Sequence, residues 1–134
     1  MFAVEAPRRV LVIDDDPVTL EIVRAALEDA GYDVTTRERA FGTSVVIAEE
    51  HPDIVLADVS MPGLSGDGLV RVGAANPQLK GTLFILYSAR RSADLERLAR
   101  ESGAAGAIVK TGNMDAFVDE FRRIVERPEA SRGA

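Results

Sequence analysis

Five short apolar runs, each followed by a longer stretch of helical period, restrict this chain more than any other feature of its sequence. The runs are Val10–Ile13, Asp33–Thr36, Ile54–Ala57, Leu83–Tyr87 and Ala107–Val109, and four of the five are almost wholly apolar. A strand covered by helices on both faces has no wet side, so continuous apolar runs are what it requires. Their alternation with helical segments predicts an α/β fold, a doubly wound five-stranded parallel sheet with helices on both faces. Asp33–Thr36 is half polar, which suits a sheet edge and favours the strand order 2-1-3-4-5.

The first helix is bounded by Asp16, whose carboxylate can cap free N–H groups, by Pro17, whose missing N–H costs nothing there, and by Gly31. Between them Leu20, Val23, Leu27 and Ala30 recur at spacings of three and four and make one apolar stripe. In the last helix Phe117, Val118, Phe121, Ile124 and Val125 do the same, with Asp119, Glu120, Arg122 and Arg123 on the wet face. Further helices are expected near Phe41–Glu50, Ser65–Asn76 and Ser92–Ser102, the second weakened by Gly66, Gly68 and Gly73. Residues 128–134 carry no bulky apolar side chain and are expected to be a disordered tail.

A chain of 134 residues with 46% hydrophobic content has room for one domain with a core. Sixteen Lys and Arg against 22 Asp and Glu give a net charge of −6, which argues against long-range attraction to nucleic acid or anionic membrane and points to protein partners. The absence of cysteine removes disulfides, thiolate metal sites and a cysteine nucleophile, and fits a cytoplasmic location. No apolar stretch approaches the length of a membrane span or a signal core.

Ligands of open parallel sheets bind beyond the carboxyl ends of the strands, and the residues there are strongly biased. Asp14, Asp15 and Asp16 follow the first run, Asp58 the third, Ser88 and Ala89 the fourth, and Lys110 the fifth. Carboxylates crowded at one rim repel one another by about a few kcal/mol at an intermediate dielectric, so a cation must compensate. Hard oxygen donors without His or Cys favour Mg²⁺, or Mn²⁺, and Lys110 adds a second positive charge. Such a rim suits phosphoryl transfer, with a carboxylate such as Asp58 as nucleophile. Asp16 is better read as a helix cap, His51 has no assigned role, and Tyr87, beside Ser88, could assist switching but as an aromatic in an apolar run is better read as core.

The segments Val10-Leu11-Val12-Ile13-Asp14-Asp15-Asp16-Pro17 and Pro52-Asp53-Ile54-Val55-Leu56-Ala57-Asp58-Val59-Ser60-Met61-Pro62-Gly63, followed by Ser88-Ala89 and Gly103–Lys110, together resemble the receiver domains of two-component response regulators. The resemblance implies a flavodoxin-like receiver domain over residues 9–127, preceded by an extension over 1–8. It implies that Asp58 accepts a phosphoryl group from a histidine kinase or phosphotransfer protein. Asp15, Asp58 and the Ser60 backbone carbonyl would bind Mg²⁺, with Asp14 acting through water. Lys110 would pair with the acceptor and then the phosphate, Ser88 would hydrogen-bond a phosphoryl oxygen, and Ser60 and Arg90 would tune hydrolysis. An unknown downstream protein would read the change, and the chain would be a monomer or a weak dimer through residues 92–126, with no DNA-binding output domain.

Two positions depart from the family pattern. Ala107 stands where an aromatic residue usually rotates inward, and Thr111 stands where a proline usually follows the lysine in a cis peptide, which before a non-proline residue costs roughly 2.5–4 kcal/mol. These departures keep open a pseudo-receiver, an interaction module not controlled by phosphate. A third reading is a haloacid-dehalogenase-like phosphatase with Asp14 as nucleophile, since Asp14-Asp15-Asp16-Pro17-Val18-Thr19 also resembles that family's motif. It leaves Asp58 without a role.

Overall fold

The apolar runs form strands, and described stretches between them form helices that cover the sheet. The structure, a computed structural model, describes residues 8–39, 42–59, 68, 70–71, 75–76, 81–89 and 92–126, without the side chains of Ser92 and Ala93. Most of the expected extension over 1–8, Ser60, Met61, Pro62, Gly63, Arg90 and the expected tail over 128–134 lie outside these residues, as does most of the expected 65–76 helix. Helical backbone is seen there at Gly68, Val70, Arg71 and Ala75.

Strands β1 (Arg9–Ile13), β2 (Asp33–Arg37), β3 (Ile54–Asp58), β4 (Leu83–Ser88) and β5 (Gly106–Val109) make one parallel sheet in the order β2-β1-β3-β4-β5. The half-polar run is at the edge, where its outer side has no strand to satisfy. Helices α1 (Pro17–Asp29), α2 (Thr43–Glu50), α3 (Ser92–Ser102) and α4 (Met114–Val125) connect and flank the strands. None of the described helices is long and apolar enough to cross a membrane.

Strand side chains alternate between faces, and this period of two divides the core into two layers. Val10, Val12, Ile54, Leu56, Ile85, Tyr87 and Ile108 face α1 and α4, meeting Leu20, Val23, Leu27, Phe117, Phe121 and Ile124. Leu11, Ile13, Val55, Ala57, Phe84 and Leu86 face the other way, against Ile47, Val70, Leu95 and Ala99. Tyr32 adds an edge-on contact to Phe121, with ring centroids 5.1 Å apart.

Helix starts follow local chemistry. Asp16 accepts the Val18 N–H at 3.1 Å and the Thr19 hydroxyl at 2.7 Å, with Pro17 as the first helical residue. Asn113 caps α4 in the same way, accepting the Ala116 N–H at 3.1 Å. Helix α2 begins at Thr43 rather than at Phe41, because Gly42 is left-handed at φ 78 and so stands outside the helix.

Gly106 answers to close packing. A Cβ there would lie 2.8, 3.0 and 3.1 Å from three carbons of Ile124, a buried β-branched side chain with little rotamer freedom. Gly106→Ala is therefore expected to destabilise the fold by about 1–3 kcal/mol. Adding Ile124→Val should recover part of that loss. Urea unfolding checks both, and an unchanged midpoint for the single variant would rule out the clash.

Candidate functional site

The same alternation that layers the core aims the rim residues. Asp14 continues the face of Val10 and Val12, Asp58 that of Ile54 and Leu56, and Lys110 that of Ile108. Three separate strands thus deliver their end residues to one place. One carboxylate oxygen from each of Asp14, Asp15 and Asp58 lies within 4.8 Å of the other two. Lys110 Nζ donates to Asp14 Oδ2 at 2.8 Å and to Asp58 Oδ2 at 3.2 Å.

Backbone bonds continue past the strand ends and fix the loops that carry these groups. The Asp14 N–H donates to Arg37 O at 3.1 Å, Val59 N–H to Tyr87 O at 3.2 Å, and Lys110 N–H to Ser88 O at 2.7 Å. No peptide bond among the described residues is cis, so Thr111 follows Lys110 through a trans bond and the lysine is held by the ladder to β4. Asp58 and Ser88 are the last residues of their strands rather than the first beyond them. Both are buried, as is Asp14 at 1% exposure, while Asp15 faces solvent.

Asp14 is the most tightly held of the acids. Its Oδ1 accepts the Asp16 N–H at 2.9 Å, and its Oδ2 accepts both Lys110 and the Tyr87 hydroxyl, the latter at 2.6 Å. Burial works against its charge, but the Lys110, Tyr87 and Asp16 donors outweigh burial and hold its pKa below the ordinary 3.8. Burial likewise opposes the Lys110 charge, and the bonds and fields of Asp14 and Asp58 overcome it and raise that pKa above 10.5. Tyr87 is raised from its ordinary 10.0 by burial and then by Asp14, and stays a neutral donor.

The signs of these shifts define a pH response. Asp14, with a depressed folded value, contributes stability that is fully present above its ordinary 3.8 and lost as pH falls through the lower value. Lys110, with a raised value, contributes stability that is present below 10.5 and lost as pH rises through the higher one. Melting temperature measured against pH should hold level through neutrality and fall at both ends, and the acid limb should be shallower in Asp14→Asn. An acid limb unaltered in that variant would contradict the assignment.

Tyr87 is the site residue whose contacts with Asp14 and Lys110 the reading of the sequence missed. It fills the core, as an aromatic in an apolar run should, but its hydroxyl also reaches the rim and its ring lies 4.5 Å from Lys110 Nζ. The available signal was parity: Tyr87 shares the face of Ile85 and Ile108, and thus of Asp14 and Lys110. Ala107 borders a hollow of about 240 Å³ with Leu95, Glu96, Phe117 and Glu120, on the side of the sheet end where the family pattern has its aromatic.

The donor set fits a small hard cation. Three carboxylates converge, and no His or Cys lies among the converging ligands.

Comparison with known proteins agrees with this geometry. The family model described as "Response regulator receiver domain" matches residues 10–122. The transcriptional regulatory protein KdpE of Mycobacterium tuberculosis is 34% identical over 122 residues, covering 91% of this chain and 53% of that protein. The C4-dicarboxylate transport transcriptional regulatory protein DctD of Pseudomonas aeruginosa is 31% identical over 91% of this chain and 26% of its own length. The chain thus spans about half or less of these relatives. Among solved structures, the chemotaxis response regulator CheY4 of Vibrio cholerae superimposes with a TM-score of 0.80 at 25% identity, over 88% of this chain and 98% of that one. A putative response regulator from Chloroflexus aurantiacus gives 0.82 at 25% identity, over 90% and 99%.

Proposed function

Because the chain belongs to the response regulator receiver family, we propose that it is a phosphoacceptor switch in which Asp58 takes the phosphoryl group from a phosphohistidine of a histidine kinase or phosphotransfer protein. The observation that carries this reading is Lys110 bonded to Asp14 and Asp58 at once, with Asp15 in reach of both acids. Mg²⁺, held by Asp15, Asp58 and the Ser60 carbonyl with Asp14 behind a water, would supply neutralising charge for the phosphoryl oxygens.

An Asp58 carboxylate oxygen forms the new bond to phosphorus while the donor's N–P bond breaks, and the donor imidazole departs. Lys110, already 3.2 Å from Asp58 Oδ2, then turns its ammonium to a phosphoryl oxygen. Ser88, buried at the end of β4, donates its hydroxyl to another oxygen, and this links the chemistry to the loop that follows. The α3–β5–α4 face, residues 92–126, is the surface whose shape a protein partner would read. Asp14 makes a poor nucleophile, because three donors already hold its carboxylate, and this weighs against the phosphatase reading.

The test is mass spectrometry after incubation with acetyl phosphate and Mg²⁺. One added phosphoryl group mapped to Asp58 is expected. A protein that gains none under any small phosphodonor and divalent metal would instead be a pseudo-receiver, and a stable adduct on another residue would also reject the assignment.

A further inference from the structure

Tyr87 stands at the junction of core and rim, and three contacts define what it touches. Its ring is packed in the layer that faces α1 and α4. That ring lies 4.5 Å from the Lys110 ammonium, within the range of a cation–π contact. Its hydroxyl donates 2.6 Å to Asp14 Oδ2, the same oxygen that Lys110 holds at 2.8 Å. A residue of the β4 strand thus bridges across β3 to an acid following β1.

We infer that Tyr87 is a positioning residue that weakens divalent-cation binding at this site, by holding Asp14 Oδ2 with its hydroxyl and steadying Lys110 over its ring. The inference rests on the phosphoacceptor reading, in which Asp14 must receive a hydrogen bond from a water of the cation. Oδ1 already accepts the Asp16 N–H, and Oδ2 already accepts two donors. On Oδ2 a water bound to a cation must therefore compete with Tyr87 and Lys110, and Oδ1 keeps a single acceptor site beside the Asp16 N–H. The hydroxyl dipole also points its positive end at Asp14 and reduces the negative potential that draws a cation in. Both effects have the same sign. Phenylalanine in this place would keep the ring, the packing and the contact to Lys110, and would release Oδ2 from one donor.

Isothermal titration with Mg²⁺ alone, on wild-type protein and on Tyr87→Phe, measures the effect. The variant is expected to bind Mg²⁺ more tightly by roughly threefold to tenfold, since a hydrogen bond to a charged group is lost from the competing side. A second readout comes from Tyr87 itself. The chain has two tyrosines and no tryptophan, so Tyr32→Phe leaves an emission that reports Tyr87 alone. As Mg²⁺ draws Asp14 away from the hydroxyl, that emission should rise with the midpoint that calorimetry gives, because a bonded carboxylate quenches it. Equal or weaker binding by Tyr87→Phe, or an emission that ignores the titration, would overturn the inference while leaving Asp58 as the acceptor. Absence of Mg²⁺ binding by the wild type would defeat this inference together with the metal assignment beneath it.

Discussion

Asp58→Asn will abolish the gain of mass from acetyl phosphate while leaving the folded protein intact. On the proposed reading the carboxylate oxygen that would bond to phosphorus is gone, and an amide is too weak a nucleophile to replace it, so the rate should fall by at least about 10³-fold. The fold should not suffer in proportion. Asp58 gives up the charge that strengthens its bond from Lys110 at 3.2 Å, but the same substitution relieves its repulsion against Asp14 and Asp15, one carboxylate oxygen of each lying within 4.8 Å. The melting temperature should therefore shift by only a few degrees, roughly the effect of 1 kcal/mol in a domain of this size. Differential scanning calorimetry on the same sample separates loss of chemistry from unfolding. A variant that still gains a phosphoryl group at the wild-type rate would remove Asp58 from the mechanism.

Lys110→Met should have a different profile, damaging stability as well as chemistry. Methionine retains much of the apolar stem and removes a charge that touches Asp14 and Asp58 together. Asp14, only 1% exposed, would then keep two neutral donors against its charge and the nearby acids. Breaking a buried ion pair on one side commonly costs about 3–5 kcal/mol, and the partial exposure of Lys110 reduces this to about 1–3 kcal/mol. Millimolar Mg²⁺ should restore part of it by taking over the neutralisation. Phosphorylation should slow by about 10²-fold or more, since the ammonium that meets the phosphoryl oxygens is missing. Urea midpoints with and without Mg²⁺ check the first claim. A midpoint that matches wild type in metal-free buffer would mean that Lys110 does not balance the acids.

Strands β1, β3, β4 and β5 were legible because burial on both sides leaves an almost unbroken apolar run in the sequence, and β2 because its half-polar run suits the edge. Their ends were harder to place. Asp58 and Ser88 complete β3 and β4, yet a polar residue in a one-dimensional reading marks the end of a strand even when its backbone continues the ladder. Asp14, Asp15, Asp58 and Lys110 were found because parallel strands bring their carboxyl ends to one rim, so order along the chain translates directly into proximity. Tyr87 was half found. Its apolar neighbours announced the core position, but the length that carries its hydroxyl to Asp14 appears only when the sheet is assembled. Gly106 gave no sign at all, for its reason is the approach of Ile124 from a helix eighteen positions later in number and adjacent in space. The cap at Asn113 was readable by the same rule that identified Asp16 and was overlooked because its helix was already marked by its apolar stripe.

The bond from Lys110 to Asp14 joins residues 96 positions apart, and that span has a consequence for synthesis. A ribosome exposes the acids of β1 and β3 long before it releases their ammonium partner on the final strand. Until β5 docks, an emerging polypeptide carries an anionic cluster without its Lys110 partner. The docking of β5 therefore completes the charge balance of the rim.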